Sequence, residues 1–196
     1  VKSTVVPGTM EKFQEQFSQL RLVFSPEFLT ERHSRLDFIN SARIVLGGKK
    51  EDTDVVRKIL EPRFPGAKFI MTDFATAQFI KYMANCFFSV KVSFMNEMKQ
   101  LSDAVEADWD TSIAGFIADG RVGNSHIMVP GHDGSLGFGG KCFPKDLNSF
   151  IHFSTTKNIK NIMLKASWEK NLEVREEHDW LNIEGAVTKG DSKWKK

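Results

Sequence analysis

The sequence predicts a partial α/β domain followed by an all-α domain built around one long spine helix. Over residues 1–73, short β-branched runs alternate with segments of helical periodicity, a pattern typical of a parallel sheet with crossover helices. From Ala67 to Ala114 no glycine or proline interrupts the chain, so an unusually long helix can form there. Residues 74–176 have helical patterns and one glycine-rich loop. We assign the polar residues 177–196 to a tail.

The first 73 residues contain four predicted strands and two predicted helices. Pro7-Gly8 ends the first strand and Gly47-Gly48 ends the third, because glycine and proline break regular structure. Thr9 is suited to the N-cap of the first helix, since its side-chain oxygen can accept a backbone hydrogen bond. The strands cover residues 1–6, 22–24, 42–46 and 69–71, and the helices cover residues 9–20 and 52–60.

The long helix is predicted from about Ala75 to Val105, with Asp73 as its N-cap. About 30 residues at 1.5 Å per residue give a rod of roughly 45 Å. A helix that is apolar nearly all round is buried on several sides, so we expect a spine that links two domains, or the seam of a dimer. The apolar side chains of this helix are Phe79, Ile80, Met83, Phe87, Phe88, Val90, Val92, Phe94, Met95 and Met98.

Three shorter helices are predicted after the spine. They cover residues 110–118, 145–154 and 159–172, and a loop rich in glycine separates the first from the second at residues 129–140.

Composition excludes several classes of protein. Apolar residues make up 41% of the chain, enough for a hydrophobic core. The net charge of +2, from 27 basic and 25 acidic residues, is too small for a dedicated nucleic-acid binder. Two cysteines do not make a disulfide framework, and no apolar run reaches the about 18 residues of a membrane span. We expect a cytoplasmic protein with no metal site and no nucleic-acid or membrane partner.

The most informative segment is Gly137-Phe-Gly-Gly-Lys-Cys142-Phe-Pro-Lys-Asp146. Five glycines in residues 131–140 let the backbone approach a ligand closely, and Pro144 is suited to the first position of a helix. The Cys142 thiol would then lie at a helix N-terminus between two lysines, where the dipole and the cations favour the thiolate. This is the environment of a nucleophile. The alternative is a small core residue beside an ordinary turn.

Six segments, in order along the chain, resemble motifs of one enzyme family. Together they cover roughly residues 1–180, and the chain resembles the UDP-glucose/GDP-mannose dehydrogenase family, whose members oxidise a nucleotide-sugar alcohol to a carboxylate with NAD. Besides the cysteine segment, they are Lys2-Ser-Thr-Val-Val-Pro-Gly8, Ser25-Pro-Glu27-Phe-Leu-Thr-Glu31, Ala77-Gln-Phe-Ile-Lys81-Tyr-Met-Ala-Asn85, Asp119-Gly-Arg121-Val-Gly and Asn171-Leu-Glu-Val-Arg175.

The resemblance also implies that the chain is either a fragment or a compact variant of such an enzyme. It contains no G-x-G-x-x-G after an opening strand, and the family carries that loop at the start of its NAD domain. A third domain would follow Arg175 in the family. We therefore expect the end of a Rossmann-like NAD domain over residues 1–73 and the whole central dimerisation and substrate domain over residues 74–176. We expect NAD as cofactor, a nucleotide-sugar as substrate and no activity from this chain alone. UDP-glucose is the first choice of substrate, and UDP-N-acetyl sugars and GDP-mannose stay open as alternatives.

The resemblance assigns the chemistry to a few residues. Cys142 would capture the aldehyde as a thiohemiacetal and carry it forward as a thioester. Lys81 and Asn85 are four apart and share a helix face, and they would donate hydrogen bonds to the oxygen that gains charge. Asp146 would orient Lys81 or a bound water. Taken without the resemblance, Lys81 is a snorkelling lysine and Asn85 a surface amide.

Further residues are implied to activate water and to bind ligands. Glu27 would be the general base against the thioester. Thr4, at the carboxyl end of a strand where ligands bind in open α/β sheets, would help to hold the water or the cofactor. The family's NAD contacts fall on Ser3, Thr4, Glu31, Cys142 and Lys145. Its substrate contacts fall on Glu27, Phe28, Leu29, Glu31, Lys81, Asn85, Arg121, Asp133, Gly134, Leu136, Gly137, Phe138 and Gly139.

Two function classes stay open at this stage. The first is an NAD-dependent nucleotide-sugar 6-dehydrogenase that forms a homodimer through the long helix. The second is a non-catalytic module that binds a nucleotide-sugar in the glycine loop and dimerises, which the missing phosphate loop favours.

Overall fold

The computed structural model describes residues 1–30 and 32–187. The chain divides into two compact units, Val1–Ala84 and a second that begins at Asn85. The first unit is a small α/β sheet domain and the second is helical. The predicted fold class, a partial Rossmann-like domain followed by an all-α domain with one long helix, is confirmed.

The first unit is built on a three-stranded sheet in the order β1, β2, β3. β2 and β3 run parallel, with Arg43 opposite Lys68, whereas β1 is antiparallel to β2, with Val23 opposite Gly48. The sheet is therefore mixed, and only part of the predicted parallel pairing is present. The elements are α1 (Thr9–Gln16), β1 (Val23–Phe24), α2 (Ser34–Ile39), β2 (Arg43–Gly48), α3 (Lys50–Leu60) and β3 (Lys68–Thr72).

Three local predictions for this unit are wrong. Residues 1–6 form no strand. Val1 hydrogen-bonds to Val23 and Ser25 beside β1. A β-branched run forms a strand only where a neighbouring strand pairs with it. Thr9 is the first helical residue of α1, and Gly8, with φ +94°, takes the cap position. The same helix ends at Gln16, short of Leu20.

The core of the first unit lies between the sheet and the start of the long helix. It contains Met10, Phe24, Val45, Phe74 and Ala77. A side chain at Gly47 would overlap the Ala77 Cβ and lie 2.9 Å from the Asp73 carbonyl oxygen. This glycine therefore allows the long helix to begin in direct contact with β2.

The long helix, α4 (Phe74–Ala104), has 31 residues as the sequence predicts. Asp73 caps it, since its carboxylate accepts from the Thr76 N–H at 2.8 Å. Its surface is divided, however. Tyr82, Cys86 and Met95 are buried, whereas Phe87 and Phe94 are 61% and 47% exposed. Within one copy of the chain, this helix is thus not buried on all the sides that carry apolar residues. Among the described residues, no helix is long and apolar enough to cross a membrane.

The second unit adds helices α5 (Trp109–Ile117), α6 (Cys142–Thr156) and α7 (Ile162–Val174), followed by a short 3₁₀ helix (Asp179–Asn182). Its main core contains Cys86, Phe138, Leu147, Trp168 and Trp180. Helix α6 begins three residues before the predicted start, so Pro144 is its third residue. The prediction of a polar tail over residues 177–196 is wrong for residues 179–187, because Trp180 and Ala186 are fully buried there. Lys189–Lys196 lie outside the described residues.

Candidate functional site

Cys142 is the first residue of α6, and its side chain is exposed. The chain reaches it through Gly137 and Gly140, whose φ angles of +68° and +69° are left-handed conformations that favour glycine. The helix that follows has 15 residues, so the backbone N–H groups of its first turn and its positive dipole end lie beside the sulfur. The position of the thiol at a helix N-terminus is the one that the sequence predicts, and its exposure is a finding of the structure.

Asp146 lies one helical turn after Cys142 and is only 1% exposed. One of its oxygens accepts a hydrogen bond from Asn85 Nδ2 at 2.5 Å, and the other contacts the Lys145 ammonium. Asn85 is itself buried in α4. The structure thus joins Asp146, Lys145 and Asn85 within the second unit, one helical turn after Cys142. The predicted role of Asp146 toward Lys81 or a water stays a prediction.

The second cysteine has a different environment. Cys86 follows Asn85 on α4, is 5% exposed and belongs to the core of the second unit. Burial, together with the nearby charge of Asp146, raises the pKa of the Cys86 thiol to about 12. A neutral, enclosed thiol is the state of a packing residue rather than that of a nucleophile.

The glycine loop before Cys142 is held by two buried asparagines. Asn96 Oδ1 accepts from the Gly137 N–H at 3.0 Å, and Asn171 Oδ1 accepts from the Phe138 N–H at 2.7 Å. Asn171 Nδ2 also donates to the Phe138 carbonyl at 3.0 Å. These bonds use backbone groups that the sequence suggested for ligand binding. Asn96 had no sequence signal beyond a polar side chain on an apolar helix.

Charged side chains also hold the loop. One of them belongs to the loop itself, and two belong to the segment after α7. Arg175, only 3% exposed, donates to Asp133 Oδ2 at 2.9 Å and lies 3.4 Å from Asp179 Oδ2. Asp179 Oδ2 also accepts from the Gly140 N–H at 2.9 Å. Sequence reasoning assigned no site role to Arg175 or Asp179. The one available signal was that Arg175 ends a segment resembling a family motif.

The first unit holds a second group of predicted site residues. The ammonium of Lys81, a 7% exposed residue, lies 5.4 Å from the centre of the Phe28 ring. Glu27 forms an exposed ion pair with Lys2 at 3.3 Å. Glu27, Phe28 and Leu29 line a cavity of 690 Å³, a volume within the usual range of small-molecule sites.

Four further predicted site residues are exposed, half-buried or outside the described residues. Ser3 is exposed and Thr4 is half-buried. Arg121 is exposed and hydrogen-bonds to Asp119 at 2.9 and 3.0 Å, which raises the pKa of Arg121 and lowers that of Asp119. Glu31 lies outside the described residues. Among residues 1–30 and 32–187, no three His, Cys, Asp or Glu side chains cluster in a way that could hold a metal ion.

The residues present fit NAD only in part. Ser3, Thr4 and Lys145 are candidates for contact with it, but the chain has no G-x-G-x-x-G segment to hold a pyrophosphate. Six N–H groups of the glycine loop are also engaged within the chain, since those of Gly131, Gly134, Ser135, Gly137, Phe138 and Gly140 bond to protein oxygens. A ligand bound by this loop would therefore contact backbone groups that are not already bonded within the chain.

Comparisons with known proteins identify the family of the chain. The family model for the central domain of the UDP-glucose/GDP-mannose dehydrogenase family matches residues 75–173, and the model for its NAD binding domain matches residues 1–63. UDP-glucose 6-dehydrogenase of Rickettsia bellii is 34% identical over 179 residues, which are 88% of this chain and 40% of the relative. The putative UDP-glucose 6-dehydrogenase YtcA of Bacillus subtilis is 33% identical over 175 residues, 84% of this chain and 39% of the relative.

A solved structure gives the same fold and family. The structure of a UDP-glucose dehydrogenase from Pyrobaculum islandicum aligns with a TM-score of 0.76 at 30% identity, over 87% of this chain and 40% of that one. The chain thus spans about two fifths of the length of the proteins it resembles. With family models matched over most of its length, in the same order as its two units, the chain belongs to the UDP-glucose/GDP-mannose dehydrogenase family.

Proposed function

We propose that this chain is the part of an NAD-dependent nucleotide-sugar 6-dehydrogenase that carries the catalytic cysteine, with UDP-glucose as the substrate. One observation carries the proposal: Cys142 is exposed at the first turn of α6, one turn before a buried Asp146 that accepts from Asn85. The named relatives support the substrate class, since two of them are called UDP-glucose 6-dehydrogenase or a putative form of it.

Cys142 supplies covalent capture of the aldehyde intermediate. Its sulfur forms a bond to the carbonyl carbon, and the carbonyl oxygen takes a proton, giving a thiohemiacetal. Loss of hydride from the same carbon and of the hydroxyl proton leaves a thioester. Water then attacks this carbon, the carbon–sulfur bond breaks, and the carboxylate leaves with the thiol restored. NAD, when bound, supplies the hydride acceptor for both oxidations.

Asn85 and Lys81 are the proposed hydrogen-bond donors to the substrate oxygen. Both lie on α4 and both are buried, so charge that develops beside them is poorly screened by water. Asp146 fixes the Asn85 amide by accepting from its Nδ2. That bond orients the amide before substrate arrives, and such preorganised dipoles stabilise a developing oxyanion.

Glu27 is the proposed general base that activates water against the thioester. Its carboxylate lies at a cavity edge and is 41% exposed, so water can reach it. Thr4 is proposed to help hold this water. Ser3, Thr4, Glu31, Cys142 and Lys145 are the proposed cofactor contacts, and the proposed substrate contacts are Glu27, Phe28, Leu29, Glu31, Lys81, Asn85, Arg121, Asp133, Gly134, Leu136, Gly137, Phe138 and Gly139.

A homodimer through α4 completes the proposal, with the protein in the cytoplasm. Phe87, Phe94 and Leu101 are exposed at seven-residue intervals, which places them on one stripe of the helix. An apolar groove of 360 Å³ adjoins this stripe between α4 and α5, with Met98 and Trp109 in its walls. We also propose that the NAD-binding domain ends at residue 73 and the central domain at residue 176.

The decisive experiment uses the full-length enzyme and compares its wild-type form with Cys142→Ser and Cys86→Ser. Each is given NAD and UDP-glucose, and NADH and UDP-glucuronate are measured. We expect acid formation by wild type and Cys86→Ser and none by Cys142→Ser, because a serine hydroxyl does not form a thioester. Normal acid formation by Cys142→Ser refutes the mechanism. UDP-N-acetyl sugars and GDP-mannose, tested in parallel, show whether UDP-glucose is the preferred substrate.

A further inference from the structure

The glycine loop before Cys142 is bonded to a buried guanidinium, that of Arg175, which has no role in the proposed chemistry. Arg175 follows α7 and extends its guanidinium beneath the loop. It donates to Asp133 Oδ2 at 2.9 Å, to the Glu177 carbonyl at 2.9 Å and to the Leu136 carbonyl at 3.4 Å. Two of these acceptors, Asp133 and Leu136, belong to the loop itself. A single cation thus joins two points of the loop to the end of α7.

Asp179 completes the group from the opposite side. Its Oδ2 lies 3.4 Å from Arg175 Nη2 and accepts from the Gly140 N–H at 2.9 Å. Gly140 stands two residues before Cys142, so Asp179 holds the last part of the loop before the sulfur. We call Asp133, Arg175 and Asp179 the loop latch.

The latch leaves no room for a side chain at the point where it meets the loop. A Cβ at Gly139 would overlap Arg175 Nη2 and Asp179 Oδ1. A buried guanidinium is costly unless its donors are satisfied, and here the loop supplies the acceptors. Loop conformation and latch geometry therefore depend on one another.

We propose that Arg175 and Asp179 are positioning residues, which hold the glycine loop in the conformation that presents Cys142 and the loop backbone to the nucleotide-sugar. This inference rests on the proposed function for its catalytic consequence. Neither residue touches the reacting atoms. The latch acts through Gly140 on one side and through Asp133 and Leu136 on the other.

The test uses Asp179→Ala, Asp179→Asn and Arg175→Lys, with Asp54→Ala as the control. Asp54 forms an exposed ion pair with Lys50 on α3, in the other unit. Asparagine at position 179 keeps an oxygen that can accept from Gly140 but loses the charge that faces Arg175. Hydrogen exchange is followed by mass spectrometry on peptides that cover residues 131–141 and residues 50–60. The rate of Cys142 alkylation is measured on the same samples.

We expect Asp179→Ala to raise exchange in residues 131–141 by about tenfold, while residues 50–60 keep the wild-type rate. Asp179→Asn should restore most of the protection, and Asp54→Ala should change nothing. In the active protein, Asp179→Ala should lower kcat/KM for UDP-glucose by about tenfold and leave the Kd for NAD unchanged, with partial recovery in Asp179→Asn. Arg175→Lys should resemble Asp179→Ala, because lysine lacks the planar fork.

Two outcomes overturn the proposal. The first is unchanged exchange in residues 131–141 of Asp179→Ala. The second is an equal rise of exchange throughout the chain with no recovery in Asp179→Asn, which would show that Asp179 serves general stability. Failure of the full-length wild-type enzyme to form acid would refute the proposed function instead, and the exchange rates would still decide the role of the latch.

Discussion

Asn85 and Asp146 are joined by a hydrogen bond of 2.5 Å although they stand 61 residues apart in the sequence. Both are buried, at 7% and 1% exposure, so neither can exchange this partner for bulk water. The bond links the spine helix to the helix that begins with the proposed nucleophile. Its loss should therefore affect both stability and chemistry.

Replacement of Asn85 by alanine leaves Asp146 without its amide donor. A buried charged acceptor that loses a hydrogen bond costs about 1.5–3 kcal/mol, and we expect Asn85→Ala to lower the free energy of unfolding by that amount. Urea unfolding followed by circular dichroism measures this value. Asn124→Ala, which changes an exposed amide in a loop, is the control and should remain at wild-type stability. Equal stability of the two variants would contradict the importance of the bond.

The two cysteines should differ strongly in alkylation. With a pKa of about 12 for Cys86, only about one thiol in ten thousand is ionised at pH 8, and burial blocks access as well. We expect iodoacetamide to modify exposed Cys142 in the folded protein and to leave Cys86 intact. Peptide mapping by mass spectrometry identifies the modified residue. In denaturant both cysteines should react, and similar rates in the folded state would count against a special role for Cys142.

Alanine should have opposite effects at two glycines of the second unit. Gly137 has a φ of +68° and lies against Asn171, whose Oδ1 a new Cβ would overlap. We expect Gly137→Ala to lower stability by about 1–3 kcal/mol. Gly115 lies inside helix α5, with open space where a Cβ would be, so Gly115→Ala should raise stability by about 0.5–1 kcal/mol. Thermal unfolding of both variants tests the sign of each change.

The loop latch should weaken in acid. Burial opposes the charge on Asp133, but hydrogen bonds from the Ser135 N–H and from Arg175 outweigh it and lower the pKa of Asp133 below its usual 3.8. A folded-state pKa below the unfolded one means that this stabilisation is complete above pH 3.8 and is lost as the pH falls through the folded value. Asp133→Asn should remove this part of the pH dependence. The free energies of unfolding of wild type and Asp133→Asn, measured between pH 6 and about 3, test this expectation.

An acidic residue on the exposed stripe of α4 should disrupt the proposed dimer. Phe94 is 47% exposed in one copy of the chain, and a dimer interface would bury it, so Phe94→Glu would place an unpaired charge there. We expect sedimentation equilibrium to show a dimer for wild type and a monomer for Phe94→Glu. Ile59→Glu, at an exposed apolar position of α3, is the matched control and should remain dimeric. A wild-type monomer at all concentrations would exclude the dimer for this chain.

Local patterns were enough to predict the long helix, its Asp73 cap, the core strands and a cysteine at a helix start. These features depend on neighbours in sequence: an uninterrupted helical segment, a capping carboxylate three residues before the Thr76 N–H, and glycines just before Cys142. The strand expected at residues 1–6 failed because a strand needs a partner, which no pattern within the run can supply.

Tertiary structure alone decided which side chains support the site. Asn96 reaches Gly137 across 41 residues and Asp179 reaches Gly140 across 39, and no local pattern marks such pairs. The sequence by itself determined the chemical groups available, including one thiol at a helix start and one in an apolar helix. Folding decided which thiol is exposed and which polar groups hold it in place, because burial and hydrogen-bond partners are set by contacts between distant segments.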